Sequence, residues 1–415
     1  MTPQPVALSK RLGGIFIIAG TAIGAGMLGI PFAVAALGAV KAIIVLAITW
    51  LLMLATAILI TEVNCQSPTD ADFDGMAKTT LGWGGQIINR AIYWLLLYAL
   101  MTAYITAGGG LLMDYLIQPL THYGSIWLGK ILFTGILGLF VYLGTQVVDR
   151  VNKLFFIVKM LTFISLVLVG LAYIHADNLI NQATGQWQYA WYAIPILITS
   201  FGFHIVIPAL RTYFSNDRVL KQTVIVGGCI PMFVYAFWII ITLGVIPFSG
   251  GHSIVTLFAE GKDVGAGYQY HVGLSLGHWM IIMFEAVAVV TSFLGVSLAL
   301  FHFNKETFSK ERFKVVKLKY IFLITFIPSL LFALFFVKGF LNALGYASIF
   351  VALLLIILPA LMAWRIRKRH NSLTMLGRIY LLGIIFAGMM VIALQLLTSF
   401  NCLPTLSNVV AQVNS

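Results

Sequence analysis

Gly20-Thr21-Ala22-Ile23-Gly24-Ala25-Gly26 lies in the middle of an apolar run covering residues 13–37. A run of about 20 apolar residues matches the hydrocarbon thickness of a bilayer. Glycine is a poor helix former, and three glycines this close together invite the helix to unwind halfway across. A second interruption, Thr199-Ser200-Phe201-Gly202-Phe203-His204, sits inside the run 190–213, with Pro195 before it and Pro208 after. The two interruptions are five apolar runs apart, an odd number, so the halves that contain them have opposite topology. Paired breaks at matching places in two inverted halves are the sequence sign of a transporter site.

The physical reason is the hydrogen-bonding power of the backbone. In hydrocarbon, unpaired N–H and C=O groups are tolerated only where they line a cavity or bind something. Freed N–H groups at a half-helix N-terminus suit a carboxylate, and freed carbonyls suit an ammonium or a cation. Gly20 and Gly24 also form a small-xxx-small pair, which lets helices pack closely. The second interruption, bracketed by prolines, favours the broken-helix reading.

Outward from these two runs the same pattern repeats. Apolar spans are read at 13–37, 40–64, 87–117, 128–147, 151–175, 190–213, 221–246, 278–304, 319–337, 339–364 and 376–398. The expected fold is therefore an all-α integral membrane protein of about eleven helices. It would form one transporter domain over 1–415, with repeats 13–175 and 190–364 and an extra helix at 376–398. Composition agrees: only 9% of the 415 residues are charged, against roughly 25% in a soluble domain. The net charge of +12 reads as positive-inside asymmetry rather than as a nucleic-acid surface. Of the 25 Lys and Arg, all but Lys41, Lys130, Lys262 and Lys338 outside, and Lys159 within a span, fall on one side. This places the N-terminus in the cytoplasm and the C-terminus in the periplasm of a bacterial inner membrane.

The cytoplasmic connections are expected at 65–86, 148–150, 214–220, 305–318 and 365–375. The outer connection 247–277 is long enough to hold short covering helices. Asp70, Asp72, Asp74 and Gly75 resemble the first half of a calcium loop, but Leu81 stands where the closing Glu belongs, so the segment reads as an acidic solvated loop. Lys305–Lys319 and the run Arg365, Arg367, Lys368, Arg369 are topology signals that also suit anionic lipid. Cys65, Cys229 and Cys402 show neither metal spacing nor a disulfide framework. No cleavable signal peptide is read, because the first apolar run is long and more spans follow.

The residues around the breaks carry a resemblance. Gly20 to Leu28 followed by Pro31, Ser200 to His204 with Pro208, Thr291-Ser292-Phe293-Leu294-Gly295-Val296, and Gly339-Phe340 with Ala343 to Ala347 resemble, in order, the signatures of the hydroxy and aromatic amino acid permeases. That family belongs to the amino acid–polyamine–organocation superfamily. The resemblance implies the LeuT-type fold, two inverted five-helix repeats with helices 1 and 6 broken, plus one extra helix. It implies proton-coupled uptake of tyrosine, tryptophan or a relative. Glu285 in the eighth span and the loop 247–277 depart from the family pattern.

Candidate residues follow. Thr21, Ala22, Ile23, Gly24, Ala25 and Gly26 would meet the substrate's amino and carboxylate groups from the first span. Thr199, Ser200, Phe201 and Gly202 would do so from the sixth. Phe201 and Phe203 would stack on an aromatic substrate, act as a gate, or pack in the core. The resemblance gives a third-span tyrosine a place at the site, with Tyr98 and Tyr104 both open.

Lys159 lies deep in Phe155–Leu161, where an ionisable group is a functional hypothesis by default. The resemblance implies that its ammonium replaces a sodium ion, near the first span and the hydroxyls of Thr291 and Ser292. The competing reading is that it snorkels to the cytoplasmic surface. Glu285 is either a proton relay or a vestibule residue. His204 either titrates or holds the break by hydrogen bonding. Glu62 and Asp114, near span ends, read as solvated.

The expected partners are an amino acid, protons and the lipid bilayer, with no cofactor, no metal and no nucleic acid. A sodium-coupled carrier, or one for serine or threonine, is the alternative within the same class. An embedded enzyme would need a cluster of ionisable groups at one depth, a channel a repeated polar filter, and an ATP-driven pump a phosphate-binding loop. The spans offer none of these.

Overall fold

The computed structural model describes residues 8–69, 71–121, 125–180, 186–214, 216–273, 276–309, 317–335 and 339–413. Asp70, Lys338 and the centre of the basic stretch 305–319 lie outside them. Helix is the only regular secondary structure among the described residues. The first span is a pair, α1 (Leu8–Ala22) and α2 (Ala25–Leu37), bent by 44° at the break. There follow α3 (Ala39–Cys65), α4 (Phe73–Ile117), α5 (Ile126–Leu143) and α6 (Thr145–Ala172). The sixth span is also built in two parts, α7 (Ala190–Ser200) and α8 (Ile207–Tyr213). After α9 (Asp217–Val245) come two short helices, α10 (Ile254–Ala259) and α11 (Val264–Val272). The remainder are α12 (Leu276–Ser309), α13 (Leu318–Phe335), α14 (Phe340–Arg369), α15 (Met375–Ser399) and a short α16 (Leu406–Val413). Among the described residues ten helices are long and apolar enough to cross a membrane, or eleven if the bent first pair is counted as one span.

α6 shows which solvent these helices are built for. Leu154, Ile157, Leu161, Ile164, Leu168 and Leu171 recur at helical spacing on its exposed face, whereas Lys159 is buried. A soluble helix has the opposite arrangement. Apolar outside and charge inside is the pattern hydrocarbon selects.

The structure corrects three readings. The segment 65–86 is not all loop: α4 begins at Phe73, where the Asp72 carboxylate accepts from the Gly75 N–H at 2.8 Å. It turns at Gly82, whose φ of 79° favours glycine, before entering the membrane. Asp74 is held by Gln86 at 2.7 Å and by Arg90 at 3.0 Å. The connection expected at 148–150 is helical; the turn is Gly144 (φ 111°), and Asp149 pairs with Lys153 one helical turn on. Glu62 is not simply solvated: Arg367 grips its two oxygens at 2.8 and 2.6 Å, tying α3 to α14. Such bidentate geometry is what guanidinium and carboxylate prefer. Asp114 is exposed, as a span-end carboxylate should be.

The helices form two compact units. The first comprises described residues within Met1–Tyr93, Leu179–Leu243 and Ser348–Ser415, and the second those within Trp94–Asn178 and Gly244–Ala347. Neither unit is one half of the sequence. The first takes the first two spans together with the sixth and seventh and the chain from Ser348 on.

In the second unit α4 crosses α5 through glycines. A Cβ on Gly109 would lie 2.7 Å from the Lys130 Cα, and one on Gly129 would lie 2.2 Å from the Gly109 carbonyl. The Lys130 side chain is buried, and its ammonium donates to the Ala333 carbonyl at 2.6 Å. That carbonyl is in the last turn of α13, where a positive charge also meets the helix dipole. Gly109→Ala is expected to cost about 1–3 kcal/mol through overpacking. Gly135→Ala, where no atom lies within 4 Å of the added carbon, should stabilise by about 0.5–1 kcal/mol. Thermal midpoints of the two purified variants would show shifts of opposite sign.

Candidate functional site

α1 makes its last helical bond from the Ile23 N–H to the Ala19 carbonyl, at 2.9 Å. Gly24 is extended (φ −140°, ψ −159°), and a 3-10 turn over Ala25–Gly29 leads into the rest of α2. In the sixth span α7 ends at Ser200; Phe201 and Gly202 are non-helical, and the chain resumes through a 3-10 turn at Phe203–Val206. Both interruptions read from the sequence therefore exist.

The breaks leave the Ala22 and Ser200 carbonyls without their i+4 partners. A single side chain meets both: the Tyr235 hydroxyl lies 2.6 Å from the Ala22 carbonyl and 2.8 Å from the Ser200 carbonyl. One turn along α9, the Trp238 indole N–H donates to the Met27 carbonyl at 3.0 Å. The Ser200 hydroxyl reaches the Gly26 carbonyl at 3.1 Å and its own helix at Ile196, 3.0 Å away. A Cβ on Gly26 would sit 3.2 Å from the Ser200 Cα, so glycine is what lets the two breaks touch. Ala22, Gly26 and Ser200 thus form one buried group of freed peptide atoms.

Tyr235 and Trp238 were not singled out in the sequence. A signal was present: both carry a polar atom in the middle of an apolar span, and a buried hydroxyl or indole N–H must find a partner.

The other first-unit candidates are accounted for. The hydroxyls of Thr21 and Thr199 donate back into their own helices, to Ile17 (2.7 Å) and Pro195 (3.1 Å). Phe201 packs on the Tyr235 ring, with centroids 5.0 Å apart. Phe203 stacks on His204 and lies over Gly228 of α9. His204 is fully buried, and its Nε2 meets the Thr56 hydroxyl of α3 at 2.9 Å.

The second unit holds the remaining candidates. Lys159 on α6 is only 3% exposed, so it does not snorkel, and its ammonium lies 5.5 Å from the centre of the Phe156 ring. α6 packs along α12, with the Phe163 and Phe284 rings 5.4 Å apart. The Tyr104 hydroxyl hydrogen-bonds Ser292, and the Thr291 hydroxyl donates to Ala288. Tyr98 is engaged elsewhere, donating to the Ile324 carbonyl at 2.6 Å. Glu285 is buried beside α11. Among the described residues no three His, Cys, Asp or Glu side chains gather as a metal site.

Residues 8–396 match the tryptophan/tyrosine permease family. The chain belongs to that family. The tyrosine-specific transport system 1 of Haemophilus influenzae is 33% identical over 88% of this chain and 90% of its own length. The tryptophan-specific transport protein of the same organism is 32% identical over 90% of this chain and 94% of its own. The structure of MhsT in complex with L-phenylalanine superposes with a TM-score of 0.61 at 16% identity, covering 93% of this chain and 98% of that one. At that identity the likeness speaks to the fold, and the permease has the LeuT-type fold. It is a multi-pass membrane transport protein and not an enzyme.

Replacing Tyr235 by Phe removes the donor shared by two buried carbonyls. In the permease this is expected to cost about 1–3 kcal/mol of stability. A thermal melt of purified Tyr235→Phe would measure it, and an unchanged midpoint would mean that the carbonyls have other donors.

Proposed function

We propose that this permease imports an aromatic amino acid, tyrosine or tryptophan, by proton symport with alternating access. The observation that carries this reading is the joined pair of breaks. Gly24 to Gly26 and Ser200 to Gly202 present backbone groups of two half-helices to one place. A zwitterion is what a set of bare N–H and C=O groups fits, the carboxylate on the N–H groups and the ammonium on the carbonyls. The substrate set is Thr21 to Gly26 with Thr199, Ser200, Phe201 and Gly202. Phe201, packed on Tyr235, supports an aromatic side chain nearby better than Phe203, which is committed to His204 and Gly228. Tyr104, bonded to Ser292, is favoured over Tyr98, whose hydroxyl is held by Ile324.

Lys159 is the proposed coupling group, with Thr291 and Ser292 as its polar surroundings. A buried amine inside a span is a group that can release and regain its proton over a transport cycle. The repeats 13–175 and 190–364 would rock about the site, with 376–398 outside them. The N-terminus faces the cytoplasm of a bacterial inner membrane and the C-terminus the periplasm, following the basic connections.

Purified protein in liposomes with an acid outer bath tests the reading. Labelled tyrosine should accumulate, unlabelled tryptophan and tyrosine should compete, and serine should not. Lys159→Gln should lose at least tenfold of the gradient-driven accumulation while retaining exchange of internal for external substrate. Full accumulation by Lys159→Gln would remove the coupling role. Accumulation driven by sodium at equal pH would replace proton symport by the sodium alternative.

A further inference from the structure

Glu285 on α12 is 2% exposed, and its Oε2 has no hydrogen-bond partner among the described residues. The carboxylate faces α11, the second of the short helices between α9 and α12, where the Gly265 N–H donates to it. A methyl group on Gly265 would lie 3.1 Å from each of three oxygens: Glu285 Oε2, Asp263 Oδ1 and the Tyr115 hydroxyl. Three oxygens from three elements (α12, the start of α11 and the end of α4) thus converge on one point that only glycine leaves open. Asp263 is already engaged, accepting from Tyr115 at 2.8 Å and capping α11 through the Ala266 N–H at 2.9 Å.

The neighbouring charges do not neutralise Glu285. Lys262 is paired with Glu260 at 2.7 Å, and Asp114 adds a further negative charge near Asp263. On α5, Lys130 is held by the Ala333 carbonyl; on α6, Lys159 lies one turn from Phe163, which is level with Phe284. α11 carries three further titratable groups: Tyr270 stacks on the His252 ring and His271 meets the His252 carbonyl at 3.1 Å, whereas Tyr268 is fully buried and its hydroxyl has no hydrogen-bond partner among the described residues. Burial and the Glu285 charge push the Tyr268 phenol up, so it stays a neutral donor.

Two carboxylates facing one buried point are costly when both are charged, and one shared proton removes most of that cost. We propose that Glu285, Asp263 and Tyr115 form a proton-binding site, and that its bound proton latches α11 onto the eighth span. The docked state holds one proton more than the released state. Low pH on that side therefore favours docking; as pH rises the proton leaves, Glu285 and Asp263 repel, and α11 is released. "That side" is the outer face in the orientation proposed above. The latch itself is independent of the Lys159 role and of which amino acid is carried.

The test reads docking without transport. With Cys65, Cys229 and Cys402 replaced by serine, a single cysteine is introduced in place of buried Val264, or in place of exposed Gln269 on the same helix. Labelling by a membrane-impermeant maleimide is measured across pH in liposomes. The ratio of the Val264→Cys rate to the Gln269→Cys rate cancels the chemistry of the thiol. The ratio should rise by up to about tenfold per pH unit, as linkage to one proton requires. Glu285→Gln should flatten it, Asp263→Asn should move its midpoint to lower pH, and Lys159→Gln should leave it in place. A ratio that does not change with pH overturns the proposal, as does a pH dependence that survives Glu285→Gln. Should Glu285→Gln not fold, an unmoved midpoint in Asp263→Asn overturns it. A ratio that falls when sodium replaces choline at constant pH would assign the site to a metal cation instead.

Discussion

One hydroxyl stands between two broken helices. The Tyr235 phenol faces the Ala22 carbonyl and the Ser200 carbonyl within hydrogen-bond distance, and it has a single proton to give. In hydrocarbon an unpaired carbonyl costs several kcal/mol, so both breaks depend on what α9 presents to them. The dependence also runs the other way: two acceptors share one donor, so Tyr235 is held in place by both breaks at once.

The same accounting governs charge. Lys130 and Lys159 are buried in lipid-spanning helices, and they are handled differently. Lys130 is satisfied by a carbonyl at the end of α13, so its charge serves as a helix cap. Lys159 has the aromatic face of Phe156 beneath it and lies within a unit whose hydroxyls, Tyr104 and Ser292 among them, bond one another. Glu285 has no such partner at one of its oxygens. Three buried ionisable groups in one family of helices thus have three different fates, and only the positions of their neighbours distinguish them.

Reading the sequence alone located the spans, though not all of their ends, because an apolar run either is or is not as long as the bilayer is thick. It located both breaks, because glycine and proline act on their own few residues. It misjudged the start of α4, since a polar segment can be a surface helix when an aspartate caps it, as Asp72 does. It placed Glu62 in solvent, because its partner Arg367 is 305 residues away. It left Tyr98 and Tyr104 undecided, although they differ by less than two turns, because only their contacts with Ile324 and Ser292 separate them.

The sequence by itself determined that this chain is a bundle of membrane helices with two mid-membrane interruptions, since run length, charge asymmetry and glycine clustering are properties of a one-dimensional string. The tertiary structure decided which atoms complete the interruptions. Tyr235 meets Ala22 across 213 residues and Trp238 meets Met27 across 211. Contacts at such separations follow from how the helices pack, and side-chain order along any single span does not contain that information.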